Sequence, residues 1–271
     1  MTDSGPLIVP IEVQAMVVNH ANMNFVRATM KYRQLKSFAS PSPAPFQNDA
    51  GNDFAAKPAN QGVYLMWTLP KALRHGQENP NGGLDFPFVP NRWLVVRVYR
   101  PAVAPDVVPP AQKPTVAAWV VQSDFLDTTQ GTSAFIDPTK PQTTPTLIGK
   151  KVSISTTAWQ EPPTAPSYFL KAVSESNPAF AAYQPFNQNV FSIFDDLVTQ
   201  QIDSGTISYF VLGWFSQPSA DILSGWKPGE AGKDFPDLLN QLNWTATKSG
   251  SQSAKTSLYH GAAFGISWQR G

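Results

Sequence analysis

Two apolar runs of strand length, each closed by proline, set the terms for this fold. Residues 63–69 read Val-Tyr-Leu-Met-Trp-Thr-Leu and stop at Pro70, while residues 93–99 read Trp-Leu-Val-Val-Arg-Val-Tyr and are followed by Pro101. Proline has no amide hydrogen for a sheet ladder or a helix interior, and β-branched and aromatic residues suit a pleated strand. We read both runs as central strands. The segment between them has room for a turn of helix over 71–74 before Gly76 and an exposed turn over 79–83.

Side chains alternate along a strand. In the second run Leu94, Val96 and Val98 make one wholly aliphatic face. Trp93, Val95, Arg97 and Tyr99 make the other, where the Arg97 guanidinium can stack on a ring or pair with a carboxylate at a sheet margin.

Proline and glycine supply 26 and 17 residues of the 271, a frequency of breaks that favours many short strands and ordered loops over helices. The expected fold is mainly β, with α+β as the alternative: a single β-sandwich-like domain over residues 1–271, with long Pro-rich loops, the longest at 40–60, and two or three short helices. Further strands are expected over 11–18 at an edge, 25–35, 115–125 in a central position, 150–156 with Val152 and Ile154 inward, 206–215 buried on both faces, and 257–268. The spacing of Val190, Phe191, Phe194, Leu197 and Val198 predicts a short helix within 190–202. A second helix within 234–244 has Asp234 as its cap and Pro236 in its first turn.

Charged residues make up 14% of the chain and the net charge is +1, which argues against nucleic acid or an anionic membrane as the partner, since both require clustered Lys and Arg. With no cysteine, disulfides, thiolate catalysis and cysteine-ligated zinc are excluded. No apolar run approaches the roughly 20 residues of a membrane span, and the opening Met-Thr-Asp-Ser-Gly-Pro lacks the basic start and apolar core of a signal peptide. Synthesis in the cytoplasm is the expectation.

Several segments carry a family resemblance: Gly62-Val-Tyr-Leu-Met-Trp-Thr-Leu-Pro70, Phe86-Pro-Phe-Val-Pro-Asn-Arg-Trp-Leu-Val-Val-Arg97, Ala118-Trp-Val-Val-Gln-Ser-Asp124 and Ser208-Tyr-Phe-Val-Leu-Gly-Trp-Phe215. Together they resemble the N-terminal region of a family of large, uncharacterised bacterial proteins associated with phage-tail-like contractile injection systems. Family members carry His where this chain has Tyr64 and Met66, so any role of those histidines is not expected here. Relatives continue well past a segment like 259–268, so the resemblance implies a shortened relative or an excised N-terminal module, loaded into or exported by an injection-type machine. It implies no activity.

The three histidines, His20, His75 and His260, are too scattered to suggest a metal or catalytic cluster. The close acidic pairs Asp124/Asp127 and Asp195/Asp196 sit beside expected turns, where aspartate serves as a turn or cap acceptor. No nucleophile elbow, P-loop or dinucleotide fingerprint is present. We therefore expect no catalytic, cofactor-binding or metal-binding residues. Trp67, Trp93, Trp119 and Trp214 lie inside strands, where a large ring is core. Trp159, Trp226 and Trp244, in or next to loops, form the candidate ligand or partner surface together with Glu161 and Asp221. Two functions follow from these residues. The first is a non-enzymatic structural or protein-interaction module, a cargo or accessory component whose contact surface is built from loops 40–60, 101–114 and 159–166. The alternative is a carbohydrate-binding or carbohydrate-active protein using the loop tryptophans on a glycan.

Overall fold

The structure, a computed structural model, describes residues 5–19, 26–27, 57–58, 60–102, 113–127, 133–135, 146–154, 159–162, 170–173, 188–225, 227, 229–247 and 254–270. Its elements in chain order are β1 (Leu7–Pro10), β2 (Glu12–Val18), β3 (Val26–Arg27), β4 (Lys57–Pro58), β5 (Gly62–Thr68), α1 (Lys71–Arg74), β6 (Gln77–Glu78), β7 (Leu84–Asp85), β8 (Arg92–Pro101), β9 (Thr115–Asp127), β10 (Ser133–Phe135), β11 (Thr146–Ile154), β12 (Ser192–Asp195), β13 (Gly205–Trp214), α2 (Phe235–Gln241) and β14 (Ser257–Trp268). The fold is mainly β, as the proline and strand pattern predicts. No described helix is long and apolar enough to cross a membrane.

A seven-stranded sheet, in the order β1-β14-β13-β8-β9-β11-β10, packs against a three-stranded sheet, β12-β5-β2. All neighbours are antiparallel except β1, which runs parallel to β14. The two opening runs are thus central strands of different sheets. They meet face to face, with the Trp67 and Trp93 rings 5.3 Å apart. Strand β2 lies at an edge of the small sheet, and β9 lies between β8 and β11 as its proline-free interior predicts.

One row across the inner face explains much of the packing. Lys151, Val121, Trp93, Gly213 and Tyr259 are successive cross-strand partners. The indole of Trp93 lies across Gly213, so that a Cβ there would sit 2.1 Å from Cζ3 of Trp93. Only glycine leaves room for that ring. Trp268 closes the other end of the core, fully buried, its indole N–H donating to the Ile202 carbonyl at 3.0 Å.

Four expectations are corrected. Val152 and Ile154 pair with Val120 and Ala118 on the outer face, while Lys151 points inward; its long stem lets the ammonium reach the Phe194 carbonyl at 2.6 Å, so a lysine can occupy an inner position. The segment expected as a helix within 190–202 is strand β12 followed by turns, because its backbone is taken up by pairing with β5. In β13, Ile207, Tyr209 and Val211 are fully buried, but Phe210, Leu212 and Trp214 remain half-exposed on the outer face, so Trp214 is not core and the strand is buried on one face only. Finally, Arg97 lies in the interior between the sheets and not at a margin.

Helix α2 starts as predicted, with Asp234 accepting from the Asp237 amide at 2.9 Å. Most of loops 40–60 and 101–114 and of the strand expected over 25–35, and half of loop 159–166, falls outside the described residues, as do Trp226 and His20.

Candidate functional site

Two buried charge clusters, one largely apolar sheet face and one aromatic-lined hollow are the features with chemistry to consider. In the first cluster Arg97 donates to both oxygens of Asp195 at 2.9 Å. Asp195 also accepts from the Tyr209 hydroxyl at 2.7 Å and the Gln200 amide at 2.8 Å. Arg97 and Lys151 both lie 5.5 Å from the Trp119 ring. Burial, reinforced by Asp195, pushes the Tyr209 phenol well above its ordinary range, and burial lowers the Lys151 ammonium. Every oxygen of Asp195 is committed to a protein donor, so this cluster ties β8, β12 and β13 together. Asp196, next in sequence, does the turn work expected of it, accepting from the amide and hydroxyl of Thr199.

The second cluster lies at one end of the outer face. Arg92 donates to Asp124 and, through Nε at 3.0 Å, to both oxygens of Glu161. Burial works against the Arg92 charge, but Glu161 and Asp124 outweigh it and hold the guanidinium above its usual range. Asn91 joins the group, donating to Asp124 at 2.6 Å and accepting from the Ser216 amide at 2.8 Å. Over this cluster Trp159 packs edge-on against Trp214 at 6.1 Å. Trp159 and Glu161 therefore roof the end of the large sheet. Asp124 and Asp195 both hold buried arginines, a role that turn-side aspartates do not announce in sequence.

Asp221 is buried and accepts from the Leu223 amide and from both the amide and hydroxyl of Ser257. Burial, partly offset by these donors, raises its carboxyl. It fastens the segment after β13 to the start of β14 and does not face a surface, because all its acceptor capacity is directed inward.

Beyond the Arg92 cluster the outer face is mostly apolar, with the exposed Arg100 at its far end beside Thr206. Its rows are Ile154, Ala118, Val96, Phe210 and Ala262; Val152, Val120, Leu94, Leu212 and His260; and Val116, Val98 and Ser208. Only Val120 among them is buried, and Val116 is 66% exposed. Phe264, 68% exposed, stands edge-on to Phe210 at 5.3 Å.

Trp244 has a different setting. Helix α2 ends at Gln241 with Leu242 as its cap, after which Asn243 takes a left-handed φ of 53°. The Asn243 amide donates to the Asn240 carbonyl at 3.1 Å and the Trp244 amide to Leu239 at 2.8 Å. This paired closure is the Schellman motif, and asparagine tolerates its left-handed position. It fixes Trp244 between two hollows. The larger, of about 770 Å³, runs between α2 and the α1–β7 segment and is lined by Trp244, Phe86, His75, Gln77, Asp85 and Asn243 among others. The smaller, of about 230 Å³, is apolar, with Ile8, Pro10, Pro70 and Leu239.

Of the proposed surface tryptophans, the two described ones do not converge: Trp159 lines neither hollow beside Trp244. The sequence reading missed the opposite wall of the Trp244 hollow, since His75, Gln77 and Asp85 lie more than a hundred positions earlier in the chain and carry no local signature. Among the described residues no three His, Asp or Glu side chains gather as a metal site would require. Comparisons with protein-family models, with curated proteins and with solved structures find no match to this chain.

Proposed function

We propose that this chain is a non-enzymatic protein-interaction module that meets its partner through the outer face of its seven-stranded sheet. The observation that carries the reading is the run of half-exposed aliphatic and aromatic side chains across β11, β9, β8, β13 and β14, where a solvated sheet face alternates to polar residues. At about 4.8 Å between strands, the rows span a footprint of roughly 400 Å², comparable to the largest apolar patch on a typical monomer, which is often functional. None of the three rows holds an acidic or basic side chain other than His260, and Arg100 stands beyond them at the rim, so the middle of the face offers no counter-charge to an acidic or basic partner. The partner that fits is a protein surface that is itself apolar and uncharged. The family resemblance gives that partner an expected setting, an injection-type assembly in which the chain is an accessory or cargo component.

A photo-crosslinking amino acid at Phe264 or Val116, compared with one at the equally exposed Leu84 on β7, tests the reading in the native host. Capture of one protein from Phe264 and Val116 but not from Leu84 is expected. It should persist in about 0.5 M salt, where charges are screened within a few ångströms, and be lost on Phe210→Glu. Equal capture from Leu84, or none from either face position, overturns it.

A further inference from the structure

We infer that the larger hollow beside Trp244 binds a short neutral saccharide. A sugar ring has apolar C–H faces and a polar edge of hydroxyls that both donate and accept, so its site needs an aromatic surface beside groups of both hydrogen-bonding kinds. The hollow supplies this combination. Trp244 and Phe86 give the aromatic surface, and Gln77, Asn243 and Asp85 stand exposed around it. Gln77 and Asn243 offer amides that donate and accept, and Asp85, one of whose oxygens accepts from the Asn79 amide at 3.3 Å, adds its other oxygen as an acceptor. No side-chain hydrogen bond engages the Trp244 indole N–H or the amides of Gln77 and Asn243 among the described residues. The volume, about 770 Å³, falls within the range of small-molecule sites.

Charge selects a neutral ligand. Lys71 and Asp85, both from the α1–β7 segment, line it with opposite charges, so the hollow has no excess of one sign to favour a phosphate or a carboxylate. Trp244 is also held in advance: the closure of α2 fixes its backbone and Leu239 packs beside it. A ring ordered before binding spares the ligand the cost of ordering it.

The test is a nuclear magnetic resonance titration of the whole labelled chain with cellotetraose, chitotetraose, xylotetraose and maltotetraose, and with a neutral Gly/Ser hexapeptide. The Trp244 indole signal is assigned by its absence in Trp244→Leu, a change that keeps an apolar contact with Leu239. With at least one sugar, the indole signal and the Gln77 and Asn243 amides should move saturably at millimolar concentration. Asp85→Ala and Gln77→Ala should each weaken binding roughly fivefold, the weight of one hydrogen bond. Trp244→Leu should abolish the movement of the Gln77 amide. No movement with any of the four sugars, unchanged affinity in Trp244→Leu, or movement with the hexapeptide alone overturns the inference. Because Phe264 and Val116 do not line the hollow, Phe264→Ser should leave sugar binding intact, which separates failure here from failure of the sheet-face reading.

Discussion

Arg97 on β8 and Asp195 on β12 join the two sheets through the interior, with Nη1 2.9 Å from both carboxylate oxygens and Asp195 wholly buried. Removing one member of such a pair leaves the other charge desolvated, at a cost of about 3–5 kcal/mol. Asp195→Leu should cost more than Arg97→Met, because it also strands the buried Tyr209 hydroxyl. Combining the two should cost less than their sum. Urea denaturation of the three variants measures this, and strict additivity would refute the coupling.

Trp93→Ala should cost about 3–5 kcal/mol, since the ring is fully buried among aromatic neighbours and its removal opens a cavity. Trp214→Ala should cost less than half as much, because its ring is half-exposed and loses mainly its contact with Trp159. Equal losses in thermal stability would contradict the assignment of Trp214 to the outer face.

Gly213→Ala should destabilise by about 1–3 kcal/mol or more through overpacking against Trp93. Gly225→Ala, where a Cβ meets nothing within 4 Å, should be nearly silent. Gly213→Ala combined with Trp93→Leu should cost less than the sum of the two single changes, since the ring in the way is gone. Chemical denaturation of the four proteins decides the matter.

The phenols of Tyr99, Tyr209 and Tyr259 are all raised, in each case chiefly by burial. A group whose folded pKa lies above its unfolded value holds its proton more tightly when folded, so its contribution is complete below the unfolded pKa and is lost as pH climbs through the folded one. Stability should therefore fall above about pH 10, the ordinary tyrosine value. Tyr209→Phe should flatten that fall while costing about 1 kcal/mol near neutral pH from the lost bond to Asp195. A Tyr209→Phe curve parallel to the parent above pH ~10 would count against this account.

Local chemistry made several elements legible. Pro70 marks the end of β5, Asp234 and Pro236 mark the start of α2, the alternation in 115–125 marks β9, and the apolar run over 257–268 marks β14. What the chain does not display locally is which strand faces which. Residues 63–69 and 93–99 look alike in composition, yet their inner tryptophans come from opposite sheets. The aliphatic row Leu94, Val96 and Val98 looks more like core than the row holding Arg97, but the latter is buried because Asp195, from a distant strand, neutralises it. The same holds for 190–202, where the apolar spacing mimics a helix until β5 claims the backbone. Trp244 was visible as a loop aromatic, and Asn243 after a helical stretch signals a closing turn. The far wall at Gln77 and Asp85 is created only by the tertiary fold.

The parallel edge strand β1 has a consequence for how the chain acquires its structure. Leu7 pairs with Ser257 and Val9 with Tyr259, so an early segment waits for its partner until nearly everything between them has left the ribosome. Pairings of such long range raise the relative contact order and slow the search for the native topology. Until β14 emerges, β13 presents an open ladder edge and its apolar outer residues to the surrounding solution, the condition in which nascent β proteins aggregate.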